Sequence, residues 1–243
     1  MTKLLKPTVA ALLLTSLAVR AMQPLVTDDT GTQGAGRWQI EWSFEQAQAQ
    51  GAADRQRQWT ATLTHGLTES LDLHLDAPHA HPGNFGADWH DAGLELKWRF
   101  LERERFSLAV KSELSLPTGD WRRGTGTGRT DASATLLAQW DAEPLTLLAG
   151  AGWAFQPNRR GDRQVVWQLS GAALYRVTGQ LQLALDAVVA RNATPGAGTP
   201  PAFLMAAAIY SPRPWLDLDI GYRYGINRQT DHHTVQVGVT ARW

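Results

Sequence analysis

The sequence predicts an all-β fold: a transmembrane, antiparallel, up-and-down β-barrel of about twelve strands. Three observations predict it. From Arg37 onward the chain divides into segments of about ten residues in which apolar and polar side chains alternate, the period of a strand with one face on oil and the other on water. Short links between segments alternate with longer ones rich in glycine, proline and charge, as they do in a barrel with tight turns at one end and loops at the other. The chain also carries 11 tryptophans in 243 residues, many near segment ends, which supplies aromatic belts for two interfaces.

The elements follow in order. Lys3 and Lys6 precede an apolar run from Pro7 to Val19 that is too short to cross a bilayer, and Ala21 offers a small residue for cleavage, so residues 1–21 read as an export signal. Residues 22–36 then form an N-terminal periplasmic or plug segment, and residues 37–243 the barrel. In the first strand Trp38, Ile40, Trp42 and Phe44 alternate with Gln39, Glu41, Ser43 and Glu45. The second runs from about Arg57 to His65, and the third sets Leu71, Leu73 and Leu75 against Asp72, His74 and Asp76. The fourth sets Leu94, Leu96, Trp98 and Phe100 against Glu95, Lys97 and Arg99, and the fifth sets Phe106, Leu108 and Val110 against Ser107, Ala109 and Lys111.

Asp131 to Trp140, Leu145 to Gln156 and Gln164 to Arg176 read as the sixth to eighth strands, less polar on the inner side. The ninth sets Leu181, Leu183 and Leu185 against Gln182 and Asp186. The tenth, Ala202 to Tyr210, is too rich in alanine for its facing to be assigned. The eleventh opposes Leu216, Leu218, Ile220, Tyr222 and Tyr224 to Asp217, Asp219, Gly221 and Arg223, and the last runs from about His232 to Trp243. Apolar residues at i, i+2 and i+4 would wrap around a helix and leave it no dry face. No uncharged apolar run reaches the ~20 residues of a membrane helix. The structural rival is a soluble β-sandwich or lipocalin-like barrel with its apolar face inward. Alternation alone does not separate the two; tryptophan near strand ends and at Trp243 favours the membrane.

Composition narrows the chemistry. There are 0 cysteines, which excludes disulfides, thiolate metal sites and cysteine nucleophiles. A formal net charge of +0 gives no bulk attraction to nucleic acid. The candidate lumen wall is formed by Glu41, Asp72, Asp76, Glu95, Lys97, Arg99, Lys111, Glu113, Arg176, Asp186, Asp217, Asp219 and Arg223. Charged side chains lining a bore set which solutes pass; alternatively, they pair across neighbouring strands and hold the interior together. Asp28, Asp29 and Thr30 are candidates for a plug or gate hinged on the following glycines, the alternative being a tail that caps the first strand. His79-Ala80-His81 has the spacing to catch a metal, yet histidine in an outer loop is ordinarily polar surface, and no metal is expected. Gly124-Thr125-Gly126-Thr127-Gly128 lacks the Lys-Ser/Thr and helix of a phosphate cradle and reads as a flexible loop. Trp89, Trp121 and Phe85 are candidates for loop clefts that admit aromatic solutes.

Two resemblances bear on identity. The alternating last strand with Trp243 at its carboxyl end is similar to the assembly signal of bacterial outer-membrane barrels. The opening Gln23-Pro24-Leu25-Val26-Thr27-Asp28-Asp29-Thr30-Gly31-Thr32-Gln33-Gly34-Ala35-Gly36-Arg37-Trp38-Gln39-Ile40-Glu41 resembles that of the outer-membrane family named after the MetA pathway of phenol degradation. Leu114-Ser115-Leu116-Pro117-Thr118-Gly119-Asp120 and Gly66-Leu67-Thr68-Glu69-Ser70-Leu71-Asp72-Leu73 are similar to its mid-chain and first-turn motifs. The resemblance implies a bacterial outer-membrane barrel that passes small molecules, with aromatic compounds in the family's naming. The expected function is passive passage of small aromatic or polar solutes, with no cofactor. The expected partners are outer-membrane lipid, the barrel-assembly machinery and a small-molecule solute, and not nucleic acid. The alternatives are a non-conducting envelope barrel and an outer-membrane lipid hydrolase. The outer-membrane phospholipase A, similar in architecture, uses a His-x-Ser pair along one strand. No histidine here is followed two positions later by serine, so an enzyme is not expected.

Overall fold

The computed structural model describes residues 24–48, 55–81, 88–159 and 161–243; the expected export signal lies outside them. Among the described residues every regular element is a strand: β1 (Trp38–Gln48), β2 (Arg55–Thr68), β3 (Leu71–His81), β4 (Asp88–Trp89), β5 (Ala92–Glu102), β6 (Phe106–Leu116), β7 (Asp131–Ala142), β8 (Leu145–Phe155), β9 (Val165–Arg176), β10 (Leu181–Ala190), β11 (Ala202–Arg213), β12 (Leu216–Gly225) and β13 (His233–Arg242). Consecutive strands pair antiparallel, except that β4 and β5 do not pair with each other and both pair with β3 as one interrupted strand. The ring therefore holds twelve strand positions.

Closure comes from β1 and β13, registered from Gln39 opposite Arg242 to Gln48 opposite His233. Trp243 completes the seam. Its N–H donates to the Trp38 carbonyl at 3.0 Å, and the Trp38 N–H donates to the Trp243 carbonyl at 2.9 Å. A closed ring leaves no unpaired edge, which a strand in hydrocarbon requires because no water is there to satisfy its backbone.

The expected alternation is present as two faces. Outward side chains such as Ile40, Leu75, Leu96, Leu136, Leu185, Leu204, Ile220 and Val237 are exposed around the ring. An apolar band that continuous belongs in lipid, because water-soluble surfaces keep such patches to a few hundred Å². Aromatics gather at its borders. Trp98, Phe106, Trp140, Tyr175, Tyr210, Trp215 and Trp243 stand near the short turns; Trp59, Trp89, Trp153, Phe155, Tyr222 and Tyr224 stand near the long loops. The short turns span two to four residues each, by the strand bounds.

Several bounds depart from the sequence reading. β2 and β3 extend well beyond the segments expected for them, and β11 continues through Pro212 to Arg213, past the end expected at Tyr210. Proline is accommodated there because the β11–β12 register shifts between Tyr210 and Arg213, freeing its missing donor from the ladder. The Gly124–Gly128 stretch, expected to be a flexible loop, is tied down. Asp91 Oδ2 accepts from the Thr127 N–H within it and Asp91 Oδ1 from the Gly119 N–H just before it, at 2.8 Å each, and Thr125 is buried.

Candidate functional site

The bore is occupied. Residues 24–36 run along the inside of the barrel and touch both sides of the wall. At one end Pro24 and Leu25 are buried, Leu25 in a cluster with Leu148, Ala172, Leu174, Ala184, Ala207 and Ile209. Gly221 makes room for Met205 and for this end, since a Cβ there would stand 2.1 Å from Met205 Cε and 3.1 Å from Pro24 Cβ. The inner face of β8 to β11 is apolar around Leu25, and β11, whose facing alternation left open, turns Phe203, Met205, Ala207 and Ile209 inward. Alanine on both faces hid this patch from sequence reading.

The next residues meet charge. Asp186 on β10 accepts from the Val26 and Thr27 N–H groups at 2.7 and 2.9 Å. The β5–β6 register sets Lys97 directly opposite Lys111. Like charges across a strand pair repel, and Asp28 sits between them: Oδ1 accepts from Lys97 Nζ at 3.1 Å and Oδ2 from Lys111 Nζ at 3.0 Å. Asp29 Oδ1 takes a second bond from Lys97 at 2.9 Å, and Glu95 Oε2 lies 3.3 Å from Lys111 Nζ. Burial alone would raise the Asp28 carboxyl; the ammonium groups of Lys111 and Lys97 outweigh it and hold the group at about 2.

Beyond this network Thr30 bonds Ser107, and its N–H donates to Gln139 Oε1 at 3.2 Å. The Gln33 N–H donates to Asp72 Oδ2 at 2.9 Å, and Gln33 Nε2 to Gln39 Oε1 at 3.0 Å. The segment leaves the bore past Gly34 and Gly36, both at positive φ. Here Gly66 is required by contact, since a Cβ would lie 1.9 Å from the Gly34 carbonyl oxygen.

The remaining lumen candidates divide by position. Asp76 accepts from the Thr62 hydroxyl, and Glu113 stands opposite Glu95 in register. Arg223 pairs with Glu45 at 2.9 Å and Arg242 with Asp217 at 2.6 Å, while Asp219 is buried on the same strand. Arg99 lies near a short turn, donating to the Glu69 carbonyl and pairing with Glu102 at 3.3 Å. Arg176 is not in the bore. At the last position of β9 its long side chain reaches out to Glu143 of the adjacent turn, 2.6 Å away and exposed. Trp89 lies on the outer face against His79, Trp121 lies beneath the Arg122 guanidinium at 4.8 Å, and Phe85 lies outside the described residues. Some inner-wall charges pair with one another, as Arg223 with Glu45, Arg242 with Asp217 and Lys111 with Glu95 do, and the inward segment supplies the anion that the two lysines share.

Between residues 28–33 and the inner faces of β1, β2, β3 and β5 lies a cavity of about 480 Å³, lined by Glu41, Thr62, Asp72, His74, Asp76 and Glu95 among others. It marks where the bore remains open.

Among solved structures, the chain is similar to the COG4313 outer membrane channel from Pseudomonas putida F1. The TM-score is 0.67 at 13% identity, covering 88% of this chain and 98% of that one. It is also similar to the KdgM porin, determined in complex with disordered oligogalacturonate, with a TM-score of 0.59 at 11% identity over 84% of this chain and 98% of that one. At these identities the likeness is one of fold. No curated protein matches the sequence. Over residues 10–243 the chain matches the family described as "Putative MetA-pathway of phenol degradation", and it belongs to that family.

Proposed function

We propose that this chain is a passive channel for small molecules in the bacterial outer membrane, with residues 24–36 narrowing its bore. The observation that carries the reading is the pairing of an apolar exterior with an ionised interior at the same depth. Charge is placed on the inside of a membrane barrel where water or solute is to pass. The likeness to an outer membrane channel and a porin supports the reading, as does the family. Solutes of the size of single sugars, amino acids or aromatic acids suit the cavity of about 480 Å³. Lipid is then the partner of the outer face, and the barrel-assembly machinery reads β13 and Trp243. No enzymatic step is invoked.

A second reading draws on one specific observation: the inward segment is anchored at both sides of the wall, which suits a barrel that is closed at rest and serves the envelope structurally. Liposome swelling separates the two. Proteoliposomes of the purified barrel are expected to swell with at least one class among sugars, amino acids and aromatic acids, whereas no swelling with any solute would overturn the channel reading.

A further inference from the structure

The outward face of the barrel is apolar or aromatic along most of its circumference, and one stretch at the long-loop end departs from this. Strand alternation places Arg55 and Arg57 on the same side of β2 as Trp59, and both are exposed, so two guanidinium groups point away from the bore. Among the described residues the outward positions of β1, β3, β12 and β13 hold no Asp or Glu, and neither arginine forms an ion pair. The positive charge on this stretch is therefore uncompensated by the protein. The short-turn end is unlike it, with both signs side by side in Glu102-Arg103-Glu104-Arg105. Arg57 Nε donates to Gln46 Oε1 at 3.3 Å, which orients the group while its terminal nitrogens find no acceptor among the described residues.

The register builds a patch from four strands. Arg57 stands opposite Gln46, Gln46 opposite Val235, and Val235 opposite Tyr222; one step further out Arg55 stands opposite Gln48, Gln48 opposite His233, and His233 opposite Tyr224. On the membrane side of these rows Trp59 lies against Trp42 at 4.6 Å and Phe44 at 4.2 Å, and Ile40, Ile220 and Val237 continue the exposed wall. Tryptophan marks the level where hydrocarbon gives way to headgroups. Arg57 stands about 7 Å beyond Trp59 along the strand, which puts both guanidinium groups at headgroup height. There the planar fork of an arginine matches the oxygens of a phosphate two at a time. We propose that this patch binds a phosphate-bearing lipid of the outer leaflet, with Arg55 and Arg57 on the phosphate and the acyl chains along Trp59, Trp42 and the aliphatic wall. Charge complementarity at headgroup height and continuity with the lipid-facing band select that occupant. Such a site presupposes the outer-membrane placement proposed above, long loops outward, and is independent of conduction.

Native mass spectrometry of the purified barrel in detergent, titrated with diphosphoryl lipid A, tests it, with dephosphorylated lipid A and inorganic phosphate as the comparison probes. Lipid A is expected to bind saturably and about tenfold more tightly than its dephosphorylated form, and inorganic phosphate at equal concentration should leave it in place. Arg55→Gln combined with Arg57→Gln is expected to weaken lipid A about tenfold and to leave the dephosphorylated form unchanged. Both positions are exposed, so the barrel should still fold, and the migration of the unheated protein on a gel checks that it does. Arg103→Gln combined with Arg105→Gln removes the same charge at the opposite end and should change nothing, which separates a site from the overall charge of the barrel. Equal affinity for the two lipids, displacement by inorganic phosphate, unchanged affinity in the Arg55 and Arg57 variant, or an equal loss in both double variants overturns the proposal. Absence of lipid A binding beside normal liposome swelling would remove the lipid site and leave the channel standing; binding without swelling would do the reverse.

Discussion

The two sides of the inner wall hold the same segment by opposite means. The side built from β5 and β6 offers ions: Lys97 and Lys111 face each other, and Asp28 bridges them. The side built from β8 to β11 offers small and aliphatic side chains around Leu25. The segment's own sequence changes where the wall changes, from Pro24-Leu25-Val26 to Thr27-Asp28-Asp29-Thr30. On the apolar side, burial of Leu25 contributes about 2 kcal/mol without regard to register. On the ionic side, four charged groups have been taken from water and each depends on the others, so the net gain is small while the cost of losing one member is large. The ionic side therefore fixes where the segment sits, and the apolar side makes its presence favourable.

Breaking the ionic side should have the largest effect. Lys111 serves two carboxylates, Asp28 at 3.0 Å and Glu95 at 3.3 Å. Lys111→Met leaves both with one cation fewer in a buried site and is expected to destabilise the barrel by about 3–5 kcal/mol, read as a lower urea midpoint in detergent micelles. Adding Asp28→Asn to that variant removes one of the stranded charges and should restore part of the loss. If the double variant is no more stable than Lys111→Met alone, the two groups are not coupled as described.

How much of this the residues announce depends on which face they serve. The outward face was legible because lipid tolerates almost nothing polar: Trp42, Leu96, Ile220 and Val237 keep their period wherever a strand crosses. The inner face was legible only where it is wet or ionic. On β8 to β11 the inward positions are covered by Leu25, so Ala172, Ala184 and Ala207 replace polar residues and the alternation fades. The role of Asp28 could not be read from Thr-Asp-Asp-Thr alone. Its signal is the placement of Lys97 opposite Lys111, which exists only once the β5–β6 register is known. Arg176 has the parity of an inward residue, yet it ends its strand, and an arginine there has the reach to leave the bore for Glu143. Period two fixes a face; it does not fix how far a long side chain travels from it.

Breaking the apolar side should cost less and show itself differently. Leu25→Ala removes the aliphatic anchor without stranding any charge, and about 2–3 kcal/mol is expected, near the low end for a buried leucine because the void opens toward the bore. That corresponds to a shift of one to two orders of magnitude between the seated and withdrawn segment. Planar-bilayer recordings should show more frequent excursions to a higher conductance, with the urea midpoint moved less than by Lys111→Met. Unchanged channel noise would mean that Leu25 does not hold the segment.

The smallest expected effect sharpens the contrast, because Asp28 carries a proton-sensitive charge and Leu25 does not. The Asp28 carboxyl lies at about 2 in place against an ordinary 3.8, a depressed value, so its contribution to seating is complete above the ordinary value and is lost as pH falls through the lower one. The difference amounts to about 2 kcal/mol. The wild-type barrel is expected to hold its conductance from neutral pH down to about 4 and then to gain high-conductance excursions as pH falls toward 2. Asp28→Asn carries no such charge, so it should begin with more excursions and lack that step. The contact of Leu25 with Leu148 and Leu174 does not change with protons, so Leu25→Ala should keep the acid step, displaced to a higher baseline. An acid step of the same size in Asp28→Asn would assign it to other groups and leave the bridge between Lys97 and Lys111 without a part in seating the segment.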